Sequence, residues 1–200
     1  MGEHEEKIEI MRKYLADMTA AGNYHVKGNI PIKKIDNALQ TFAQGMDRTT
    51  MLGFLDTTVF GSGKNGYIFT DDKMYYVETM EKPKKLWYDD IKQLRILKSS
   101  KKDCNRELAI DFLDGSTFYI EGSFINKTPL KNFLNEMKNF EANKKAEKKK
   151  IENEKKNNFG AESAGRGIGA FRTVNNQFEE EKFHSRQGHG FAAERANNRS

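Results

Sequence analysis

The spacing of apolar residues divides the chain into a helical start, a run of short strands and one further helix. Four apolar residues near the start are three or four positions apart: Ile8, Met11, Leu15 and Met18. This spacing places them on one face of a helix, predicted over residues 5–21. A second helix is predicted after Asn29 and Pro31, because proline is tolerated in a first helical turn. Its apolar face consists of Ile32, Ile35, Leu39, Phe42 and Met46.

From Met51 onwards the pattern becomes strand-like, and apolar residues alternate with others most clearly at Leu108, Ile110 and Phe112 and again at Phe118 and Ile120. The pattern predicts seven strands, over residues 51–60, 66–70, 73–79, 84–88, 91–97, 106–113 and 116–121. Asp114-Gly115 separates the last two strands, and Asp-Gly in such a place indicates a two-residue hairpin turn with positive φ. Asp71-Asp72 predicts a second hairpin.

A third helix is predicted to begin at Thr128-Pro129, where a cap residue is followed by a first-turn proline. Its apolar face consists of Leu130, Phe133, Leu134, Met137 and Phe140. Seven short strands followed by one amphipathic helix predict an α+β fold. In that fold a small antiparallel barrel is closed by the helix, which covers an open end or seam.

Three stretches of the strand region follow a family pattern: Thr57-Thr58-Val59-Phe60-Gly61, Gly66-Tyr67-Ile68-Phe69-Thr70-Asp71-Asp72-Lys73-Met74-Tyr75-Tyr76 and Trp87-Tyr88-Asp89-Asp90-Ile91. The pattern resembles bacterial pleckstrin-homology-like (PH-like) domains, in which a Gly-x-x-x-Thr strand enters a hairpin and an aromatic strand follows. A Tyr-x-Asp-Ile step then begins the next strand. The resemblance covers about half of the chain. It implies a seven-stranded antiparallel barrel, closed by a C-terminal helix, that serves binding.

Composition predicts three segments along the chain. They are an N-terminal helical segment (1–47), the barrel with its closing helix (48–142), and a charged helix extension with linker and tail (143–200). Residues 159–169 are rich in Gly, Ala and Ser, which predicts a flexible linker within an extended or flexible C-terminal tail. The stretch Gly188–Asn197 resembles the opening of a further domain in longer uncharacterised bacterial and mobile-element proteins. We therefore expect the native chain to continue past Ser200.

The charge and cysteine content restrict the class of protein. The formal net charge is +5, which permits contact with an anionic surface, but a dedicated nucleic-acid binder carries a denser basic stripe interleaved with aromatics. Cys104 is the single cysteine, so the chain has no internal disulfide and a reducing compartment is favoured. Met1–Ile10 contains four glutamates, unlike a signal peptide, and we expect a cytoplasmic protein.

Motifs for catalysis and metal binding are incomplete. In the glycine-rich segment 61–66, Asn65 follows Lys64, where a phosphate-binding loop has Ser or Thr, and a strand follows instead of a helix. We interpret the segment as a hairpin connection. Cys104 has no nearby histidine to act as a base. None of the histidines has a spacing typical of zinc ligands; they are His4, His25, His184 and His189. We expect no catalytic residue, no metal and no cofactor.

Loop lysines are the remaining candidate contacts for a ligand or partner: Lys64, Lys82, Lys84 and Lys85. The resemblance places Lys64 in the loop with which lipid-binding PH domains contact head-group phosphates. Those domains carry basic residues on the next strand, whereas residues 66–70 here have none. This difference favours a protein partner over an anionic lipid.

The predicted function is a non-catalytic binding or targeting module. It would contact a protein partner, with anionic lipid as the less favoured ligand and nucleic acid unlikely for this segment. The alternative is that the chain is the N-terminal part of a larger enzyme or effector. That protein could act on nucleic acid, with its catalytic domain beyond residue 200. The length of the native open reading frame would separate the two hypotheses.

Overall fold

The computed structural model of this protein describes residues 2–19, 23–78, 81–97, 100–121 and 124–163. Over these ranges the elements are, in chain order, α1 (Glu3–Met18), β1 (Tyr24–Val26), α2 (Ile32–Thr41), β2 (Met51–Asp56), β3 (Gly66–Thr70), β4 (Lys73–Val77), β5 (Lys84–Trp87), β6 (Ile91–Ile96), β7 (Leu108–Phe112), β8 (Thr117–Ile120) and α3 (Lys127–Ser163). The α+β class predicted from the sequence is confirmed.

The strands form two antiparallel sheets, of order β1-β2-β3-β4-β5 and β6-β7-β8. The prediction of a closed seven-stranded barrel is therefore wrong for the residues that the structure describes. After β5 the chain passes through a 3-10 turn at Tyr88–Asp90, and β6 then begins a separate ladder with β7. The sequence pattern does not predict β1, because three residues are too few to show a period. Its pairing with β2 sets His25 opposite Phe54.

One apolar core joins α1, both sheets and α3. Phe133 of α3 is fully buried in it. The rings of Phe69, Tyr88 and Tyr14 meet the Phe133 ring edge-to-face, with centroid distances of 5.1, 5.9 and 6.5 Å. The predicted apolar face of α3 is buried at Leu130, Phe133, Leu134 and Met137. The role of α3 as the element that covers the sheets therefore follows from its own periodicity.

Helix α1 lies directly against β2 at a glycine. A Cβ atom on Gly53 would be 2.9 Å from Cγ of Met11 and 3.0 Å from a methyl carbon of Leu15. Only a residue without a side chain permits this approach of helix to strand. The predicted apolar face of α1 is buried at Met11, Leu15 and Met18, and the helix ends at Met18 rather than at residue 21.

Helix α2 and the turn after it cover the opposite face of the five-stranded sheet. The second buried cluster consists of Ala38, Phe42, Ala43, Met46, Met51, Phe54, Ile68, Tyr75 and Val77. Because both faces of the sheet are covered, every residue of β2 and β3 is buried. α2 ends at Thr41, since the N–H groups of Phe42 and Ala43 both donate to the carbonyl of Ala38 and close the helix.

The C-terminal helix is longer than predicted. α3 continues to Ser163, so the first residues of the predicted linker over 159–169 are helical. The further domain predicted from Gly188–Asn197 lies outside the described residues, and the division into three segments stays a prediction. None of the described helices is both long and apolar enough to cross a membrane.

Candidate binding surface at the β2–β3 loop

The loop between β2 and β3 holds two consecutive apolar side chains in solvent. Val59 is 89% exposed and Phe60 is 96% exposed. Ile32, in the first turn of α2, is 71% exposed. Single exposed apolar residues are common on protein surfaces, but an adjacent pair of this size is typical of a contact surface. We call Val59 and Phe60 the apolar tip.

The base of this loop is fixed by Asp56, the last residue of β2. Its side chain is fully buried and forms an ion pair with Lys34 Nζ at 2.9 Å. The same carboxylate accepts hydrogen bonds from the Thr58 N–H at 2.9 Å, the Thr58 hydroxyl at 2.5 Å and the Gly63 N–H at 3.1 Å. A buried carboxylate is tolerated because these four donors replace the water that it loses.

Further hydrogen bonds tie the loop to itself. The Ser62 N–H donates to the Thr58 hydroxyl at 2.7 Å, and the Gly61 N–H donates to the Thr58 carbonyl at 3.1 Å. The N–H of Thr57 donates to the carbonyl of Asn65 at 3.3 Å, which joins the two ends of the loop.

Helix α2 supports the loop from the side. The Asn37 amide donates to the Ser62 carbonyl at 2.7 Å, and the Thr41 hydroxyl donates to the Lys64 carbonyl at 3.2 Å. The apolar tip therefore stands on a loop whose backbone is held by both β2 and α2.

Gly63 is required where the loop crosses α2. Its φ is +74°, and a Cβ atom there would lie 2.8 Å from the carbonyl oxygen of Lys34. The interpretation of the glycine-rich segment as a hairpin connection is confirmed, because the loop joins two antiparallel neighbours, β2 and β3. Its glycines serve backbone geometry.

His25 lies on β1 beside the ion pair. Burial lowers the pKa of His25 below its ordinary value, and the positive charge of Lys34 lowers it further, while Asp56 acts in the opposite direction. Its Nε2 atom is buried and has no hydrogen-bond partner within the described part of the chain. The surroundings of His25 at the base of the loop therefore favour the neutral form of its imidazole ring.

The four lysines predicted from the sequence lie in different surroundings. Lys64 is exposed on the β2–β3 loop, and Lys82 is exposed before β5. Lys84 donates to Glu81 at 2.6 Å and lies over the rings of Tyr76 and Phe118. Lys85 points to the other face of β5, where its Nζ lies 5.5 Å from the Tyr75 centroid. Their role in ligand binding stays a prediction.

The sequence pattern misses the apolar tip because it assigns Val59 and Phe60 to a strand over 51–60. That strand ends at Asp56. An Asp followed two residues later by Thr is a signal for a turn in which the carboxylate accepts from the backbone. The two glycines at 61 and 63 support the same interpretation, so the signal is present in the sequence.

A surface groove with a volume of about 720 Å³ lies elsewhere, between α1 and the start of α3. Three of its charged side chains, Lys13, Asp103 and Arg106, already have partners. Asp103 accepts from the Thr128 N–H at 2.7 Å and pairs with Arg106 at 3.1 Å, and Lys13 pairs with Glu136 at 2.8 Å. We interpret this groove as a helix cap and a set of surface ion pairs.

Comparison with protein-family models, with curated proteins and with solved structures finds no match for this chain. Among the described residues, no three His, Cys, Asp or Glu side chains are grouped so that they could hold a metal ion.

Proposed function

We propose that this protein is a non-catalytic binding module that inserts its apolar tip into a pocket of a protein partner. The observation that carries the proposal is the exposure of Val59 and Phe60 on a loop fixed by the buried Asp56. Exposed apolar groups on a mobile loop can turn inwards, but this loop holds them in solvent.

The rigidity of the loop favours a specific contact. Binding orders loops and side chains at a cost, and a loop that is already ordered avoids most of that cost. Full burial of one Val and one Phe contributes about 3–6 kcal/mol at the usual 1.5–3 kcal/mol for each side chain. Aromatic anchors that fill a pocket are typical hot spots of protein interfaces.

The charged residues around the apolar tip indicate the chemistry of the partner surface. Lys64 is exposed on the same loop, and Lys33 is exposed in the first turn of α2. The two nearby acids are engaged, Asp56 with Lys34 and Asp36 with Arg48. The expected partner surface is therefore an apolar pocket with carboxylates at its rim.

A protein partner is favoured over a membrane because the exposed basic residues beside the apolar tip are two, Lys33 and Lys64. Polybasic segments that bind anionic membranes carry several lysines or arginines together, each contributing about 1 kcal/mol. Here Lys84 and Lys85 point to opposite faces of β5 and contact groups of the protein's own surface.

The test is a photo-crosslinking amino acid placed at position 60, with position 113 as the matched control. Leu113 is 68% exposed at the β7–β8 turn, so it reports non-specific apolar contact. We expect one protein to crosslink to the chain from position 60 and not from position 113. Excess wild-type chain should prevent this crosslink, whereas excess Phe60→Ser chain should not.

Two results would contradict the proposal. The first is crosslinking that is equal from both positions. The second is tight binding to anionic vesicles at about 150 mM salt that Lys64→Glu abolishes, since exposed charges are screened within about 8 Å under that condition. That second result would assign the loop to a membrane surface instead.

A further inference from the structure

The side chain of Lys34 lies directly beside the apolar tip. Its Nζ atom binds Oδ2 of Asp56 at 2.9 Å and Oδ1 of Asn23 at 3.2 Å. A Cβ atom on Gly61, the residue after Phe60, would lie 3.3 Å from this Nζ atom. The backbone next to the apolar tip therefore packs against the ammonium group of Lys34.

One oxygen of the Asp56 carboxylate serves both α2 and the loop. Oδ2 binds Lys34 and also accepts from the Gly63 N–H at 3.1 Å, whereas Oδ1 accepts from the Thr58 N–H at 2.9 Å. A change of the cation at Oδ2 therefore also changes a hydrogen bond that holds the loop.

The ring of His25 lies on the same side of the sheet as this ion pair. His25 is opposite Phe54, which belongs to the buried cluster under α2, whereas Val26 packs into the core beside α1. Successive residues of a strand point to opposite faces, so the His25 ring and the Asp56 carboxylate both face α2. The Nε2 atom of His25 is buried there and has no hydrogen-bond partner among the described residues.

Two charged side chains act on the His25 ring, and they are the members of the ion pair. Lys34 acts on it from α2 and Asp56 from β2. Lys27, two residues along the chain, is turned to the carbonyl of Thr49 instead, which its Nζ atom binds at 2.6 Å. Protonation of His25 therefore bears first on the pair that holds the loop.

A proton on His25 would place two cations beside one carboxylate. Burial and the charge of Lys34 lower the pKa of His25, while the charge of Asp56 and a hydrogen bond to the backbone of Asn29 act in the opposite direction. The neutral ring is therefore the form present at neutral pH. The Lys34 side chain is 16% exposed and has a path to solvent, whereas the Asp56 side chain is fully buried. Of the two cations, Lys34 is the one that can leave.

We propose that His25 is a pH switch for the apolar tip, and that its protonation displaces Lys34 from Asp56 and loosens the loop. This inference rests on the proposed function, because it concerns the regulation of the same contact. With neutral His25, the ion pair holds the apolar tip in its binding position. With charged His25, the imidazolium neutralises Asp56, Lys34 turns into solvent, and the backbone beside the apolar tip loses its support.

The test is an NMR titration of the full 200-residue chain from about pH 7.5 to about pH 5, without a partner. We expect the amide of Gly63 to shift with the same midpoint as the His25 ring, below about 6.5, the ordinary pKa of histidine. Across that midpoint the order parameter of the Phe60 amide should fall from about 0.85, a rigid backbone, to below about 0.6, a flexible one.

Variants separate the switch from a general effect of acid. His25→Gln should abolish the transition at Gly63. His4→Gln is the matched control, because His4 lies on α1 and binds Asp71, and it should leave the transition unchanged. Lys34→Gln removes the charge that opposes protonation, so it should raise the midpoint of the His25 ring, which a purely structural role of Lys34 would not do.

The inference is overturned if the Gly63 amide does not follow the His25 ring, if the transition persists in the His25→Gln chain, or if the Phe60 amide stays rigid throughout. An unchanged His25 midpoint in the Lys34→Gln chain also contradicts it. The titration uses no partner. Failure of the switch therefore leaves the crosslink from position 60 untouched, and absence of that crosslink leaves the titration untouched.

Discussion

Lys34 and Asp56 form an ion pair of 2.9 Å that joins the first turn of α2 to the end of β2. The Asp56 side chain is fully buried, so its carboxylate is shielded from solvent. This ion pair fixes the position from which the apolar tip projects. The stability of the loop therefore depends on residues that do not themselves contact a partner.

Asp56→Ala should destabilise the protein by about 3–5 kcal/mol, because it leaves Lys34 and the Gly63 N–H without their buried acceptor. The measurement is the free energy of unfolding from urea denaturation. The control is Asp36→Ala, which removes an ion pair to Arg48 that is exposed on both sides and should cost less than about 1 kcal/mol. Equal losses at the two positions would mean that Asp56 does not hold the loop.

Gly63→Ala should destabilise more than Gly45→Ala. Both glycines have φ of +74°, so the strain of the backbone conformation is the same. A Cβ atom at 63 would meet the Lys34 carbonyl, whereas a Cβ atom at 45 meets nothing within 4 Å. We expect the difference between the two variants to be about 1–3 kcal/mol in unfolding free energy, as for other overpacked sites. If they lose the same amount, α2 does not lie against the loop.

Phe133→Ala should destabilise by about 3–5 kcal/mol, because it removes a fully buried ring that three other aromatics contact. Lys149→Ala, at an exposed position of the same helix, should change stability by less than about 0.5 kcal/mol. Thermal and urea unfolding both report this comparison. A small loss at Phe133 would contradict the packing of α3 on the sheets.

Stability should decrease as the pH falls below about 6.5, the ordinary pKa of histidine. The folded state lowers the pKa of His25, chiefly by burial and then by the charge of Lys34. The unfolded chain therefore binds a proton at a higher pH than the folded chain does, and protonation favours unfolding. The stabilising effect is complete above the unfolded pKa and is lost as the pH falls towards the folded value. His25→Gln should reduce the dependence between pH 7.5 and pH 5.5, and an unchanged slope would exclude His25 as its source.

The parts of the fold that the sequence predicts are those with a local period. Met11 and Leu15 of α1 and Phe133 of α3 repeat at helical spacing, so their burial follows from the pattern. β2 and β3 are covered on both faces, so apolar and polar residues do not alternate along them. The sequence predicts that these strands exist and where they lie, but not which sheet each strand joins.

The apolar tip is harder to predict, since its support comes from distant positions. Asp56 is bound by Lys34, which is 22 residues earlier in the chain, as well as by Gly63. A pattern of residue types carries no sign of that pairing.

The most direct test of the proposed function starts from the partner identified by crosslinking at position 60. The purified partner's affinity is measured for three chains: the wild type, Phe60→Ser and Leu113→Ser. Phe60→Ser should weaken binding about thirtyfold or more, which corresponds to the loss of about 2 kcal/mol typical of a hot spot. Leu113→Ser should bind like the wild type. Because Phe60 is 96% exposed, its variant should unfold at the same urea concentration as the wild type, so a loss of affinity is a loss of contact. Unchanged affinity of a folded Phe60→Ser chain would contradict the account of the apolar tip.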